Sequence, residues 1–163
     1  MNGNLKPSSR KVQEFVSSNN LDTRAIELEA STRTAAQAAK AVGCELHQIA
    51  KPIGFKNPIS GEAIRVIASG PNRVDVAKVE ASIGGVVEKA EAKFVREKTG
   101  VAIGGVPPFA HHSTVFAILD QDLRNLPVIW AAAGTPNTLF SIEPAILAQL
   151  TAVVWLETAE ARS

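Results

Sequence analysis

Apolar segments of strand length follow one another along this chain without a helix between them. Residues 48–55 lead through a turn into 62–68, and 128–132 lead through a loop into 138–142. A fully parallel, doubly wound sheet needs a covering helix between successive strands. The pattern therefore argues against that architecture. It predicts an α/β domain of the α+β type, with a mixed sheet of about six or seven strands.

Four segments carry the spacing of amphipathic helices. They begin near Ser8 or Ser9, at a capping Thr32, at Val74 and at Glu88. In the first, Val12, Phe15 and Val16 recur on one face, as in a buried stripe. Gly43 ends the second helix, and Pro144 starts a further short one near the C-terminus. Residues 1–7 are predicted to form a flexible tail.

Length and composition point to one ordinary globular domain spanning 1–163. The hydrophobic fraction is 45%, the charged fraction is 20% and the net charge is +1, so strong binding to many phosphates of a long nucleic acid is not expected. Cys44 is the only cysteine, which excludes an intramolecular disulfide and fits a reducing compartment. No apolar run approaches a membrane span, and the polar N-terminus lacks a secretion signal. We therefore expect a cytoplasmic protein with no membrane partner.

A loop rich in glycine and proline runs from Thr99 to Thr114. It contains Gly104, Gly105, Val106, Pro107 and Pro108, followed by His111 and His112. Glycine lets a backbone approach a ligand closely, and proline stiffens the chain. Backbone N–H groups of this loop could therefore point into a cleft, although a tight turn between a helix and a strand has the same composition.

Lys51 is the charge with the most informative surroundings. It follows Ile49 and Ala50 and precedes Pro52 and Ile53, so it projects from an apolar strand. Such a lysine can bind a phosphate or carbonyl oxygen, or lose its proton when desolvated. A solvent-facing lysine on an edge strand is the alternative.

The loop Ala133 to Thr138 repeats the combination of glycine and proline between two apolar strands. Two rigid loops at strand ends and one lysine would form a small polar pocket with backbone donors. Such a pocket suits an ester or an amino acid, acting by orientation and by stabilising a developing oxyanion. The residues that this interpretation assigns to binding are Gly104, Gly105, Val106, Pro107, His111, Gly134, Thr135 and Asn137.

Other site types lack their signatures. The adjacent pair His111 and His112 would point to opposite sides of an extended segment, and neither a second cysteine nor a carboxylate stands at ligand spacing, so no metal is expected. No Walker loop, dinucleotide fingerprint or nucleophile elbow occurs, and no cofactor is expected. Cys44 has no activating partner nearby in sequence and is interpreted as a small buried residue.

These motifs, in this order, resemble the YbaK/EbsC family of editing domains associated with prolyl-tRNA synthetase. The resemblance covers roughly residues 32–155 and rests on four short segments. They are Gln48-Ile49-Ala50-Lys51, Arg73-Val74-Asp75, Thr99-Gly100 running into Gly104-Gly105-Val106-Pro107-Pro108, and Ala133-Gly134-Thr135.

The resemblance implies a barrel-like mixed sheet surrounded by helices and a trans-editing aminoacyl-tRNA deacylase. Such an enzyme hydrolyses tRNA-Pro, or another tRNA, mischarged with a small amino acid such as Ser, Thr, Ala or Cys. Lys51 matches the family's essential lysine, Gly104, Gly105 and Pro107 match the loop that positions the ester, and Gly134 matches a wall of the amino-acid pocket. The implied partners are the acceptor end of a mischarged tRNA and a prolyl-tRNA synthetase.

The chain departs from the family pattern at three points. Pro52 follows the lysine where the alanine-specific subgroup has asparagine, and Ala132-Ala133-Gly134 stands where the cysteine-editing subgroup has Ser-Gly-Gly. The chain also has no tyrosine. The amino-acid preference is therefore left open. A non-catalytic module that binds a small metabolite or a protein in the same pocket is the alternative function.

Overall fold

A computed structural model describes residues 5–23, 25–28, 34–99, 116–135, 137–151 and 154–160. Its helices are α1 (Pro7–Ser18), α2 (Ala35–Val42), α3 (Val76–Ile83), α4 (Ala92–Thr99) and α5 (Pro144–Thr151). Its strands are β1 (Ile26–Glu27), β2 (Ala50–Lys56), β3 (Ala63–Ser69), β4 (Glu88–Lys89), β5 (Phe116–Asp120), β6 (Ile129–Ala132), β7 (Thr138–Ile142) and β8 (Val154–Leu156). Two single 3-10 turns, Leu46–Gln48 and Gln121–Leu123, precede β2 and follow β5.

The strands form two sheets. The larger has the order β4-β2-β3-β5-β8, and the smaller has the order β1-β7-β6. β3–β5 and β5–β8 are parallel, whereas the other paired strands are antiparallel. An isolated parallel bridge between Ile49 and Trp130 connects the start of β2 to β6. The mixed α+β class is confirmed; the strands divide between two sheets, and no closed barrel is seen in the part of the chain that the structure describes.

The hydrophobic core lies on both faces of the larger sheet. On one face, Ile67 and Leu119 pack with Val12 and Val16 of α1 and with Leu147 of α5. On the other face, a second cluster combines the sheet with α3; its buried members are Phe55, Ile64, Val66, Val79, Val87 and Ile118. Because β3 is covered on both faces, every residue from Ile64 to Ser69 is buried.

The helix boundaries follow from their capping residues. Pro7 occupies the first turn of α1, where its missing N–H is harmless, and Val12 and Val16 are buried as predicted. α2 ends at Gly43, also as predicted, but its N-cap is Thr34 and not Thr32. The Thr34 hydroxyl accepts from the Gln37 N–H while the Gln37 side chain accepts from the Thr34 N–H, which is a reciprocal capping box.

Three other boundaries differ from the sequence prediction. α3 begins at Val76, after the N-cap Asp75, and not at Val74. Glu88 and Lys89 form the short strand β4 and do not start a helix, because they pair with Lys56 and Phe55 of β2. α4 therefore begins only at Ala92. At the N-terminus, the predicted tail overlaps α1 at Pro7, and Leu5 is buried. No helix within the described ranges has the length and apolar character needed to span a membrane.

Candidate functional site

The Lys51 side chain is held at the end of the β2–β3 hairpin. Lys51 lies opposite Ala68 in the antiparallel register, one residue before β3 ends at Ser69. Its ammonium Nζ donates to the backbone carbonyls of Gly70, at 3.1 Å, and Asn72, at 2.8 Å. These two bonds use two of the three ammonium protons. The described residues therefore fix the direction of this half-buried cation and leave one N–H for another group.

The surroundings of Lys51 make its ammonium more acidic than an ordinary lysine. Burial lowers the pKa of Lys51, and the positive charge of Arg73 lowers it further, while the carboxylate of Asp120 acts in the opposite direction. A cation that is partly desolvated interacts more strongly with an incoming oxygen than one in bulk water. Lys51 is therefore suited to bind a polarised carbonyl or a phosphate oxygen.

The turn that supplies the two carbonyls packs closely against the segment before β2. The Ser69 hydroxyl donates to the carbonyl of His47 at 2.7 Å. A Cβ at Gly70 would overlap the carbonyl oxygen of Leu46, so only glycine allows this approach. His47 is exposed, and its backbone carbonyl makes this contact with the turn.

Gly70→Ala is expected to destabilise the protein by about 1–3 kcal/mol, because the new methyl group forces the turn away from Leu46. The same displacement moves the carbonyl that Gly70 offers to Lys51. Gly85→Ala is the matched control, since a Cβ there meets its nearest atom, Asn57 Nδ2, at 3.4 Å. Thermal unfolding of the two variants measures the difference. Equal midpoints would show that the contact with Leu46 does not constrain the turn.

Asp120 and Asn72 were not identified from the sequence. Asp120 ends β5 and is 1% exposed, and Asn72 is 3% exposed. One Asp120 oxygen accepts from the Ser69 N–H at 3.1 Å, and the other accepts from the Asp122 N–H at 3.0 Å. An acidic residue directly after an apolar strand was the available signal, but the sequence could not say that this carboxylate contacts the turn near Lys51.

The second predicted loop is closed by its own polar groups. The Thr135 hydroxyl donates to Asn137 Oδ1 at 2.9 Å and also contacts the Thr138 hydroxyl. The Asn137 amide donates to the carbonyl of Leu28 at 2.9 Å. Gly134 is buried beside the first turn of α1, where the Ser8 hydroxyl donates to its carbonyl at 2.8 Å. Thr135 and Asn137 therefore shape the loop through a bond to each other and through the bond to Leu28.

The bridge between Ile49 and Trp130 relates this loop to Lys51. The two segments are parallel at that bridge. Lys51 and the loop after β6 therefore both lie on the C-terminal side of the bridge. The other predicted site residues, Gly104, Gly105, Val106, Pro107 and His111, lie outside the described residues. The described part of the candidate site thus comprises Lys51, the turn after β3 and the loop at Gly134.

Nucleophilic and metal chemistry receive little support from the described residues. Burial raises the pKa of the half-buried Cys44 thiol, which keeps it protonated and weakly nucleophilic. Its Sγ donates to the carbonyl of Glu45 at 3.4 Å. Among the residues described, no three His, Cys, Asp or Glu side chains are grouped so as to hold a metal ion.

Two clefts of about 260 and about 570 Å3 lie elsewhere, near the end of α1. Both are lined by Leu21, Asp22, Thr23 and Ser141, and neither is lined by Lys51. In their shared wall, the Thr23 and Ser141 hydroxyls are 3.2 Å apart.

Comparison with known proteins agrees with this fold. The model of the aminoacyl-tRNA editing domain family matches residues 29–150, which is most of the chain. The chain belongs to the aminoacyl-tRNA editing domain family. This span includes Lys51, Asn72, Asp120 and the loop at Gly134.

Individual relatives cover nearly the whole chain. A crystal structure of a candidate trans-editing enzyme for prolyl tRNA synthetase is 42% identical, with a TM-score of 0.89 over 96% of this chain and 99% of that one. The structure of the hypothetical protein APE2540 is 28% identical, with a TM-score of 0.85 over 92% of this chain and 99% of that one. The "Uncharacterized protein YwhH" of Bacillus subtilis is 29% identical, over 92% of this chain and 96% of its own length.

Proposed function

We propose that this protein is a trans-editing aminoacyl-tRNA deacylase that hydrolyses the ester of a mischarged tRNA. The proposed substrate is tRNA-Pro, or another tRNA, carrying a small amino acid such as Ser, Thr, Ala or Cys. Membership of the editing family supports the reaction class, and a 42% identical relative is itself a candidate trans-editing enzyme for prolyl tRNA synthetase. The observation that carries the proposal is the Lys51 ammonium, oriented by the carbonyls of Gly70 and Asn72 with one N–H to spare.

In the proposed reaction, a water oxygen attacks the carbonyl carbon of the aminoacyl ester. Negative charge develops on the carbonyl oxygen, and the remaining N–H of Lys51 stabilises it. The bond between that carbon and the ribose oxygen then breaks. The water supplies the proton that the ribose oxygen takes up, and the products are the free amino acid and the uncharged tRNA. This route needs positioning and a cation and does not need a nucleophilic side chain.

The remaining predicted residues have positioning roles in this proposal. The loop residues Gly104, Gly105, Val106 and Pro107 hold the ester by backbone contacts, and His111 lines the cleft. Gly134, Thr135 and Asn137 form the opposite wall through the shape of their backbone, since the Thr135 hydroxyl bonds to Asn137 and the Asn137 amide bonds to the carbonyl of Leu28. A prolyl-tRNA synthetase is the proposed partner, and the cytoplasm is the proposed compartment.

The test is a deacylation panel. Transcripts of tRNA-Pro charged with Ala, Cys, Ser, Thr or Pro are incubated with the protein, and loss of the ester is followed against the uncatalysed rate. Ala, Ser and Thr on their own tRNAs show whether the tRNA or the amino acid is selected. A Lys51→Met preparation, purified alongside, reports any contaminating hydrolase.

Faster hydrolysis of one or a few small aminoacyl esters on tRNA-Pro, with Pro-tRNA spared, is the expected result. Hydrolysis of none of them contradicts the deacylase. In that case, binding of charged tRNA, or of a small metabolite that Lys51→Met fails to bind, would establish the non-catalytic binding module.

A further inference from the structure

The side chain of Asn72 connects the turn beside Lys51 to two carboxylates. Its amide Nδ2 donates to Asp120 Oδ2 at 2.8 Å and to Asp122 Oδ2 at 2.7 Å. A primary amide has two N–H groups, so both are engaged. Because Asn72 is buried, an unmade bond here would leave a desolvated donor without a partner, which is unfavourable. The amide is therefore strongly held in this position.

The carboxylate of Asp120 is itself fixed. Asp120 ends β5, which lies between β3 and β8 in the larger sheet, and caps the 3-10 turn that contains Asp122, by accepting from the Asp122 N–H. Asp120 Oδ2 accepts a further bond from the Ser69 N–H. The Asp120 oxygen that receives the Asn72 amide thus lies at the end of a buried strand, and the Asp122 oxygen lies on the exposed turn that directly follows it.

The same residue also offers its carbonyl to Lys51. Asn72 O accepts from Lys51 Nζ at 2.8 Å, and the Asn72 N–H donates to the carbonyl of Ser69 at 2.9 Å, which closes the turn. Lys51 forms no ion pair with Asp120 or Asp122, all three being described residues. The carboxylates therefore reach the ammonium through Asn72 and not by direct contact.

We infer that Asn72 is a positioning residue for Lys51: its side-chain amide, clamped between Asp120 and Asp122, fixes the backbone carbonyls that aim the ammonium. This inference rests on the proposed deacylase function for its effect on catalysis. The geometric part, the orientation of Lys51 by the Asn72 amide, is independent of any substrate. Two separate measurements therefore test the two parts.

Asn72→Asp is the informative change, because aspartate has the same shape and lacks both donors. It also places a third carboxylate against Asp120 and Asp122, so the turn is expected to move away from them. A displacement of this kind lowers kcat by about 10- to 100-fold, with KM little changed. A protein in which Asn72 had only a general structural role would lose active molecules without a change in kcat per folded molecule.

The direct readout is the side-chain ammonium signal of Lys51 in a ¹⁵N-lysine protein. Two carbonyl bonds and partial burial slow its proton exchange, so a resolved resonance is expected, assigned by its disappearance in Lys51→Met. In folded Asn72→Asp, this resonance should broaden or disappear. If it persists unchanged, the inference is wrong whether or not the protein hydrolyses any ester.

A pair of changes at Asp122 covers the case in which Asn72→Asp fails to fold. Asp122 is exposed, so neither change disturbs the core. Asp122→Asn keeps an acceptor oxygen and should retain the Lys51 resonance and the wild-type kcat. Asp122→Leu removes the acceptor and should weaken the resonance and lower kcat. Identical behaviour of these two variants would overturn the inference. Loss of the resonance in Asp122→Leu without any deacylase activity in the wild type would support the geometry and reject the proposed function.

Discussion

Replacing Lys51 by methionine is expected to lower kcat/KM for deacylation by about 100- to 1,000-fold, the usual cost of removing one donor that stabilises a developing oxyanion. Methionine has a similar length and no charge, so the change removes the ammonium and leaves most of the packing. The fold should survive, because Lys51 is only half-buried and its two acceptors are the backbone carbonyls of Gly70 and Asn72. Single-turnover deacylation measures the loss, and thermal unfolding verifies the fold.

Two further variants are controls, one for the position of the lysine and one for the shape of its charged group. Lys11→Met makes the same chemical change at an exposed lysine of α1 and should leave the rate unchanged. Lys51→Arg keeps the positive charge but replaces a compact ammonium by a planar fork, which does not fit between the two carbonyls in the same way. It should recover little activity. Wild-type rates in a folded Lys51→Met protein would remove Lys51 from the mechanism.

The sequence was informative where structure depends on local pattern. Period-2 and period-3.6 spacing predicted the central strands and α1, and glycine correctly marked the end of α2. Lys51 could be selected because a cation in an apolar strand is unusual. Its placement near the start of β2 follows from the strand itself, whereas its role in catalysis stays a prediction.

The network of polar side chains beside Lys51 could not be predicted, because its members come from distant parts of the chain. Asn72 and Asp120 are 48 positions apart in the sequence, and their contact exists only because β3 and β5 are parallel neighbours. β4 was missed for a similar reason: Glu88 and Lys89 read as helix formers, but pairing with β2 decides their structure. Tertiary contacts override local propensity in both cases.

The sequence pattern also could not predict that β3 is buried on both faces. The sequence predicted an apolar strand over 62–68, and Arg65 was not singled out. In the structure Arg65 is 4% exposed, and burial lowers the pKa of its guanidinium to about 9, so it stays charged at neutral pH. A buried strand that carries a charge cannot be distinguished from a half-exposed strand by period alone.

The sequence singled out Gly134 correctly as a site of close approach, but the group that it approaches differs from the one expected. The sequence suggested that this loop approaches a ligand closely. In the structure, the observed close approach is to α1: a Cβ on Gly134 would lie 2.6 Å from the carbonyl carbon of Ser8 and 2.8 Å from the Ser9 nitrogen. Its φ of +98° also lies in the region that disfavours side chains. Gly134 is thus required for packing α1 against the loop, whatever the loop binds.

Gly134→Ala is therefore expected to destabilise the protein by about 2–5 kcal/mol, the sum of left-handed backbone strain and overpacking. Gly84→Ala is the matched control: Gly84 has a φ of +69°, and a Cβ there meets nothing within 4 Å, so only strain of about 1–2 kcal/mol applies. Urea unfolding of both variants isolates the contact with Ser8 as the difference between them. Equal losses would mean that α1 moves freely away from the loop. A larger loss for Gly134→Ala, with deacylation retained in the folded fraction, would separate the structural requirement at this glycine from its proposed place in the pocket wall.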